Sequence, residues 1–244
     1  MTEQQDLKGL TALVTGATSG IGRAAAEELA RHGADVVVHG RNASHGAEVV
    51  DAITAEGGNA RFAAADLGDA AGPDDLVRQA GQVDVLVNNA GFAWHGPTAD
   101  IDAETFDQLF AANVRAPYFL VGALAPKMAA RGGGSIINIG SEVGQIGLAN
   151  AAAYSATKGA VASMTQSWAA EFSPAGVRVN TVAPGPVYTA IQSADETGAL
   201  GAETPMSRAA QPGEIAEVIA FLASPKASYI TGAVIAADGG RTAT

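Results

Sequence analysis

Ser141, Tyr154 and Lys158 are the residues of this 244-residue chain whose types and spacing could move a proton. Tyr154 follows Ser141 by 13 residues, and Lys158 follows Tyr154 by 4, which is one turn of an α-helix. Tyr154 and Lys158 should therefore share a helix face, where the ammonium would stabilise the phenolate and lower a tyrosine pKa that is ordinarily about 10. A phenol tuned in this way can act as a general acid and base.

A second group of residues could hold a phosphate. Segment 15–22 carries glycines at positions 16, 20 and 22, and it lies between an apolar run and an amphipathic stretch. Such a turn lets the backbone approach a pyrophosphate and directs unpaired helix N–H groups at its charge. The spacing is not G-x-G-x-x-G, and an ordinary tight turn between a strand and a helix is the alternative. The residues assigned here to a dinucleotide are Gly16, Thr18, Ser19, Gly20, Ile21 and Gly22.

The end of the second apolar run indicates which dinucleotide would bind. Segment 38–42 reads V-H-G-R-N and contains no acid, whereas a carboxylate there would accept hydrogen bonds from the adenosine ribose of NAD(H). Arg41 could instead pair with a 2′-phosphate, with His39 or Asn42 as helpers. NADP(H) is therefore favoured and NAD(H) is not excluded; a solvated Arg41 in a surface loop is the alternative.

The composition excludes several other kinds of chemistry. Lys and Arg number 14 against 25 Asp and Glu, so the formal charge of −11 argues against binding nucleic acid or an anionic membrane. The chain has no cysteine, and its four histidines show no ligand spacing, so no metal site is expected. Neither a signal peptide nor an apolar stretch of about 18 residues is found, and we expect a soluble, cytoplasmic protein.

The elements that must position these residues alternate along the chain. Seven short apolar runs lack the alternation of a half-exposed strand, which is typical of strands buried on both faces of a parallel sheet. We predict a single Rossmann-like, doubly wound α/β domain over 1–244, with a seven-stranded parallel sheet flanked by helices on both faces. The connection 183–212 is long and rich in proline, and we predict that it is a substrate lid. Predicted strands are 11–15, 35–39, 61–66, 83–89, 135–140, 177–182 and 233–238; predicted helices are 20–32, 44–56, 73–80, 103–130, 152–173 and 213–223.

Taken together, these motifs resemble the short-chain dehydrogenase/reductase family in its compact single-domain branch. The resemblance covers nearly the whole chain and is carried by T-G-x-x-x-G-I-G at 15–22, N-N-A-G at 88–91, Ser141 and Y-x-x-x-K at 154–158. It implies a hydride transfer between nicotinamide and a carbonyl carbon, coupled to a proton from Tyr154. Ser141 would orient the reacting oxygen, and Lys158 would lower the Tyr154 pKa and bind the nicotinamide ribose. Asn113 would bend its helix and hold a relay water.

The same resemblance implies further contacts with the cofactor. Asp66 and Leu67 would lie at the adenine, segment 88–91 would support the cofactor and the sheet, and segment 184–189 would line the nicotinamide side. Ser19 stands where NADP-preferring relatives often carry a basic residue, so Arg41 would hold the 2′-phosphate largely alone. The segment D-G-G at 238–240 resembles the family's C-terminal signature near a subunit interface. The cofactor residues implied here are Asp66, Leu67, Asn88, Ala90, Gly91, Tyr154, Lys158, Pro184, Gly185, Val187 and Thr189.

The substrate is less well defined by the sequence. A small polar ketone or alcohol ranks narrowly above an acyl-carrier-linked 3-oxoacyl group, because Lys127 and Arg131 alone would make a weak basic docking surface. An NAD-dependent sugar or alcohol dehydrogenase and a non-enzymatic NADP(H) sensor remain alternatives. The helices at 103–130 and 152–173 are apolar and, as the family resemblance implies, could pair across a two-fold axis in a homotetramer; burial within the monomer is the alternative. Besides Ser141 and Tyr154, the predicted substrate residues are Trp94, His95, Glu142, Val143, Gln145, Tyr188, Ile191 and Leu200.

Overall fold

The computed structural model describes residues 5–189 and 193–243, and within them one seven-stranded sheet forms the centre of the molecule. Its strand order is β3-β2-β1-β4-β5-β6-β7, and every pairing is parallel. The predicted doubly wound α/β class is confirmed, with all seven strands within a few residues of their predicted positions. The strands are β1 (Thr11–Val14), β2 (Asp35–Gly40), β3 (Asn59–Ala64), β4 (Val85–Asn88), β5 (Gly134–Ile139), β6 (Val177–Pro184) and β7 (Val234–Ala237).

Helices cover both faces of the sheet, which explains why the strands show no alternation of apolar and polar residues. Val36 and Val38 of β2 pack into one core with α1, α2 and α8, while Val37 between them packs into the other core with α3, α5 and α6. Burial on both faces therefore requires an apolar side chain at each position. The helices are α1 (Gly20–Arg31), α2 (Ala43–Ala55), α3 (Gly72–Ala80), α4 (Ala103–Phe110), α5 (Ala116–Ala130), α6 (Ala152–Phe172), α7 (Ala194–Ala202) and α8 (Pro212–Ala223).

Two predicted segments differ in the structure. The single helix predicted over 103–130 is interrupted by a π-helical turn, Ala111–Arg115, between α4 and α5. The connection 183–212 was predicted to be a lid without secondary structure, but β6 runs to Pro184 and α7 lies within the connection. The start of α7 is fixed by a capping box in which Ser193 and Glu196 bond each other's backbone N–H groups. This S-x-x-E signal is present in the sequence at 193–196, but the prolines of the connection suggest a loop.

The carboxyl ends of all seven strands meet at one edge of the sheet. The chain leaves β1 and β4 in opposite directions, so a crevice forms between them at the point where the strand order reverses. Segments 15–22, 88–91 and 141–145 all begin at this edge. In the described part of the chain, no helix has the length and apolar character needed to cross a membrane.

Candidate active site

The glycine turn after β1 is held in place by residues that directly follow β4. Gly16 has a φ of +62°, and a side chain there would place its Cβ only 2.9 Å from Cα of Ala90. Asn89 donates from its amide nitrogen to the carbonyls of Thr15 (2.9 Å) and Gly16 (3.1 Å). The Thr15 hydroxyl oxygen in turn accepts the backbone N–H groups of Asn89 and Ala90, each at 2.9 Å. These bonds join segments 15–22 and 88–91 into one rigid crevice floor.

The first turn of α1 leaves its backbone N–H groups available to a ligand. Ser19 stands at the N-cap, is exposed, and makes no side-chain capping bond with the helix. Gly22 allows the close approach of helix and turn, since a Cβ there would lie 2.2 Å from the Gly16 carbonyl oxygen. A helix N-terminus with free donors favours an anion such as a pyrophosphate.

His39 is the residue of this region whose role the sequence did not reveal. It is buried, and Nδ1 accepts the backbone N–H of Gly16 at 3.2 Å while Nε2 lies 3.2 Å from the Ala65 carbonyl oxygen. Nε2 therefore carries the proton of a neutral ring. Burial lowers the pKa of His39 to about 4, although the Ala65 carbonyl and the nearby Asp66 carboxylate act in the opposite direction. The suggestion that His39 helps to bind a 2′-phosphate is wrong: it positions the glycine turn.

Arg41 and Asn42 follow β2 at the rim of the crevice, and both are exposed. Asn42 caps α2, because its side-chain oxygen accepts the N–H groups of Ser44 (2.9 Å) and His45 (3.3 Å). Its carboxamide oxygen is thus engaged in the helix cap, and the groups at this rim that could donate to a phosphate are the Asn42 carboxamide nitrogen and the Arg41 guanidinium. Thr18 packs against Gly40, where an added Cβ would lie 2.6 Å from its methyl group.

Asp66 and Leu67, which were predicted to lie at the adenine, follow β3, and Asn88 is the last residue of β4. Asp66 is exposed and accepts the N–H of Gly68 at 2.9 Å, while Leu67 is buried. Asn88 is also buried, and its amide donates to the side chain of Asn138 at 2.9 Å. The structure thus places Asn88 in the interior of the sheet, where it joins β4 to β5.

Asn113 lies on the π-helical turn and fixes the loop after β4. Its side-chain oxygen accepts the N–H of Phe92 at 3.1 Å, and its nitrogen donates to the Phe92 carbonyl (2.9 Å) and the Thr157 hydroxyl (3.1 Å). Gly91 must be a glycine because a Cβ there would lie 2.5 Å from the Asn113 oxygen. The extra residue in a π-helical turn changes the direction in which side chains such as that of Asn113 point, and these turns are frequent at functional sites.

Ser141, Tyr154 and Lys158 come together at the carboxyl end of β5. Ser141 accepts the Val143 N–H at 3.4 Å, and Lys158 is buried with Nζ 2.8 Å from the Ile139 carbonyl and 5.6 Å from the centre of the Tyr154 ring. Burial raises the pKa of Tyr154 to about 12, and a hydrogen bond with Ser141 opposes that rise. Burial also lowers the pKa of Lys158 to about 8. In this arrangement the desolvation of the phenolate outweighs the interactions that lower the Tyr154 pKa.

The predicted substrate residues divide into two places. The ring of His95 lies 5.8 Å from that of Tyr154, and its loop is fixed by the Gly96 N–H, which donates to Asn150 at 2.8 Å. Tyr188 instead packs against Gly198 of α7. A Cβ added at that glycine would lie 3.4 Å from the Tyr188 hydroxyl. It lines a cavity of about 430 Å³ between α1 and α7, beside Gly20 and Thr189. Trp94 is half-buried, Val143 is buried and Gln145 is exposed, Leu200 lies on α7, and Ile191 lies outside the described residues.

Segment 184–189, at the end of β6, contains the residues that were predicted to line the nicotinamide side. Val187 forms an isolated parallel bridge with Ala210, which joins the two ends of the connection 183–212. Thr189 packs on the start of α1, since its methyl carbon would lie 3.2 Å from a Cβ at Gly20. Pro184 is buried and Gly185 lies against Asp238. Of the predicted nicotinamide-side residues, Thr189 therefore lies against the glycine turn at Gly20.

Comparison with known proteins agrees with this architecture. The model of a family described as enoyl-(acyl carrier protein) reductase matches residues 16–242. The chain belongs to the short-chain dehydrogenase/reductase family, and it is an oxidoreductase of that family.

Three relatives illustrate the range of this family. A solved short-chain dehydrogenase/reductase family protein is 48% identical, with a TM-score of 0.91 over 98% of this chain and all of its own. Gluconate 5-dehydrogenase of Gluconobacter oxydans is 38% identical over 97% of this chain and 96% of its own. The angucycline C-6 ketoreductase LanV, solved with bound NADP, is 36% identical with a TM-score of 0.92, over 98% of each chain.

Proposed function

We propose that this protein is an NADP(H)-dependent oxidoreductase that interconverts a small polar ketone and its secondary alcohol, with Tyr154 as the general acid and base. The observation that carries the proposal is the meeting of Ser141, Tyr154 and Lys158 at the carboxyl end of β5, beside the glycine turn. The relatives support the reaction class, since one is named a gluconate dehydrogenase and another a ketoreductase.

The residues present fit an NADP(H) molecule. The positive φ of Gly16, the open N–H groups at the start of α1 and the uncommitted Ser19 side chain suit a pyrophosphate. Arg41 suits a 2′-phosphate, Asp66 and Leu67 suit the adenine, and Lys158 suits the nicotinamide ribose. The cofactor, when bound, supplies or accepts the hydride.

The chain's own residues perform the proton chemistry. A pKa of about 12 keeps Tyr154 protonated at neutral pH, so its hydroxyl can donate to the oxygen of a ketone undergoing reduction. Ser141, which bonds the Tyr154 hydroxyl, can hydrogen-bond the same substrate oxygen and orient it. The Lys158 ammonium, 5.6 Å from the phenol ring, stabilises the negative charge that develops there as the proton leaves.

Charge at the two ends of the sheet favours a small substrate over an acyl carrier protein. Arg131 donates to the Val83 carbonyl at 2.6 Å and pairs with Asp84 at 3.1 Å. These residues precede β4, at the edge of the sheet opposite Ser141, and Lys127 lies on the same last turn of α5. The two basic residues considered for docking a carrier are therefore at the wrong edge. A carrier protein is acidic, and it would need basic residues at the mouth of the site.

The decisive test is a panel of ketones and secondary alcohols assayed in both directions with NADP(H) and NAD(H). We expect turnover of small polar compounds with NADPH preferred, and the Tyr154→Phe variant should lose turnover while it still binds NADPH. NADPH binding without turnover across the panel would favour the sensor alternative. Faster reduction of 3-oxoacyl groups on a carrier than of free ketones would favour the acyl-carrier alternative, and a preference for NADH would overturn the role of Arg41.

We further propose that the protein assembles as a homotetramer through α4, α5 and α6. Phe106, Tyr118 and Phe119 are 39%, 54% and 52% exposed, and Tyr118 lies 6.1 Å from the ring of Trp168 on α6. Contiguous exposed aromatic side chains mark a protein interface. Sedimentation at micromolar concentration should give a mass of four chains, and Tyr118→Glu should reduce it; a monomer would contradict the proposal.

A further inference from the structure

Glu142 follows Ser141 directly and was predicted to contact the substrate, but its carboxylate is buried against Arg241 and the proposed reaction does not use it. Its side chain is 8% exposed, Oε1 lies 3.7 Å from a guanidinium nitrogen of Arg241, and Oε2 is buried without a hydrogen-bond partner in the described chain. Gly185 makes room for this oxygen, since a Cβ there would lie 2.9 Å from it. A buried carboxylate with one unsatisfied oxygen and one long ion pair is poorly compensated when it is charged.

The two charged groups that act on Glu142, Arg241 and Asp238, come from one other segment of the chain. Arg241 belongs to the C-terminal turn, which we define as residues 238–243, and favours the charged form of Glu142. Asp238, at the start of that turn, repels it, although hydrogen bonds from Thr242 and Gly240 satisfy the Asp238 carboxylate. Burial is the largest effect and, with Asp238 adding to it and Arg241 opposing, raises the pKa of Glu142 to about 7.

The C-terminal turn joins Glu142 to the end of α7. Arg241 also pairs with Glu203, the C-cap of α7, at 3.1 Å. The Met206 N–H donates to the Gly239 carbonyl at 3.1 Å, and a Cβ at Gly239 would lie 3.0 Å from the Thr204 hydroxyl. Segment 203–206 is thus packed on the turn that covers Glu142, so a movement of this turn that exposes Glu142 would disturb both segments.

We propose that Glu142 is a positioning residue, and that its ionisation loosens the packing of the C-terminal turn and of segment 203–206 against the Ser141 loop. The packed arrangement favours the neutral acid, whereas an opened arrangement hydrates Glu142 and favours the carboxylate. By linkage, the packed state is therefore most favourable at low pH and loses stability as the pH rises from the solvated value of 4.5 towards 7. Solvent access beside Ser141 and Gly185 becomes sensitive to pH in the physiological range.

Amide hydrogen exchange of the full chain tests this inference at pH 6 and pH 8, with rates corrected for intrinsic chemistry. Peptides covering 203–208 and 238–243 should lose protection by about tenfold between these pH values, the change expected for a carboxyl with a pKa of about 7 when packed and 4.5 when hydrated. In Glu142→Gln, which keeps the size but cannot ionise, the protection of these peptides should be equal at both pH values. The measurement needs neither cofactor nor substrate, so its result is independent of the proposed reaction.

Glu203→Gln is the matched control, because it removes the exposed partner of Arg241 and leaves Glu142 able to ionise. Its two peptides should still respond to pH by about the same factor. Equal protection of the wild-type peptides at pH 6 and pH 8 would overturn the inference whether or not the Glu142→Gln variant folds. So would a pH response that persists in Glu142→Gln or disappears in Glu203→Gln, since either result would assign the titration to another group.

Discussion

His39 should make the stability of this protein depend on pH below neutrality. Its pKa in the folded state is about 4, against 6.5 for a solvated histidine, because the ring is buried between Gly16 and Ala65. A depressed pKa means that the unfolded chain binds more protons than the folded chain between these values. The stability that His39 contributes is therefore fully present above about pH 6.5 and is lost as the pH falls towards 4.

The appropriate perturbation is His39→Asn, which retains a side-chain acceptor for the Gly16 N–H but does not titrate. The difference of 2.5 units between the two pKa values sets an upper limit of about 3 kcal/mol. Integrated over pH, wild type should lose about 1 kcal/mol more than the variant between pH 7.5 and pH 5.5 and roughly 2 to 3 kcal/mol more by pH 4.5. Urea unfolding of both proteins at these three pH values measures the quantity directly.

His45→Asn is the control, since it makes the same substitution at a histidine that is exposed on α2. Free energies of unfolding for wild type and His39→Asn that remain parallel between pH 7.5 and pH 4.5 would refute the reasoning. An NMR titration that found a His39 pKa near 6.5 in the folded protein would refute it equally, because the ring would then have to be accessible to water and free to protonate.

Three further outcomes follow from the site. Tyr154→Phe should reduce kcat by at least about 10³-fold while the NADPH Kd changes less than about twofold, because only the transferable proton is lost; substantial residual turnover would contradict the role of Tyr154. Arg41→Ala should weaken NADPH by about tenfold or more and leave NADH unchanged, as fluorescence titration can show; equal effects on both would disprove a 2′-phosphate contact. Gly22→Ala should nearly abolish binding of either cofactor, because its Cβ would lie 2.2 Å from the Gly16 carbonyl oxygen. Gly57→Ala is the control: Gly57 has a positive φ but open space around it, so the change should only reduce stability. Normal cofactor affinity in Gly22→Ala would show that the turn can relax.

Much of the fold could be predicted from local sequence. Apolar runs of four to eight residues that alternate with amphipathic stretches indicate a parallel sheet, and the strand positions agree with the structure within a few residues. The family resemblance implied a bend at Asn113, but local sequence could not predict the π-helical turn, because its preference over an α-helix depends on bonds to Phe92 and Thr157 from other segments. The helix α7 was missed although Ser193 and Glu196 form a capping box, since the surrounding prolines suggested a loop.

The sequence by itself determined the reaction class, because the relevant relationships are local. A spacing of four places Tyr154 and Lys158 on one helix face, and the three glycines of segment 15–22 lie within seven residues of one another. Tertiary structure alone decided the electrostatics. Desolvation and hydrogen bonds depend on what distant segments bring, so the pKa of Tyr154 rises to about 12 rather than falling, and His39 becomes a neutral support for Gly16 instead of a phosphate ligand. Glu142 meets Arg241 and Asp238 only because β5 and β7 end at the same edge of the sheet.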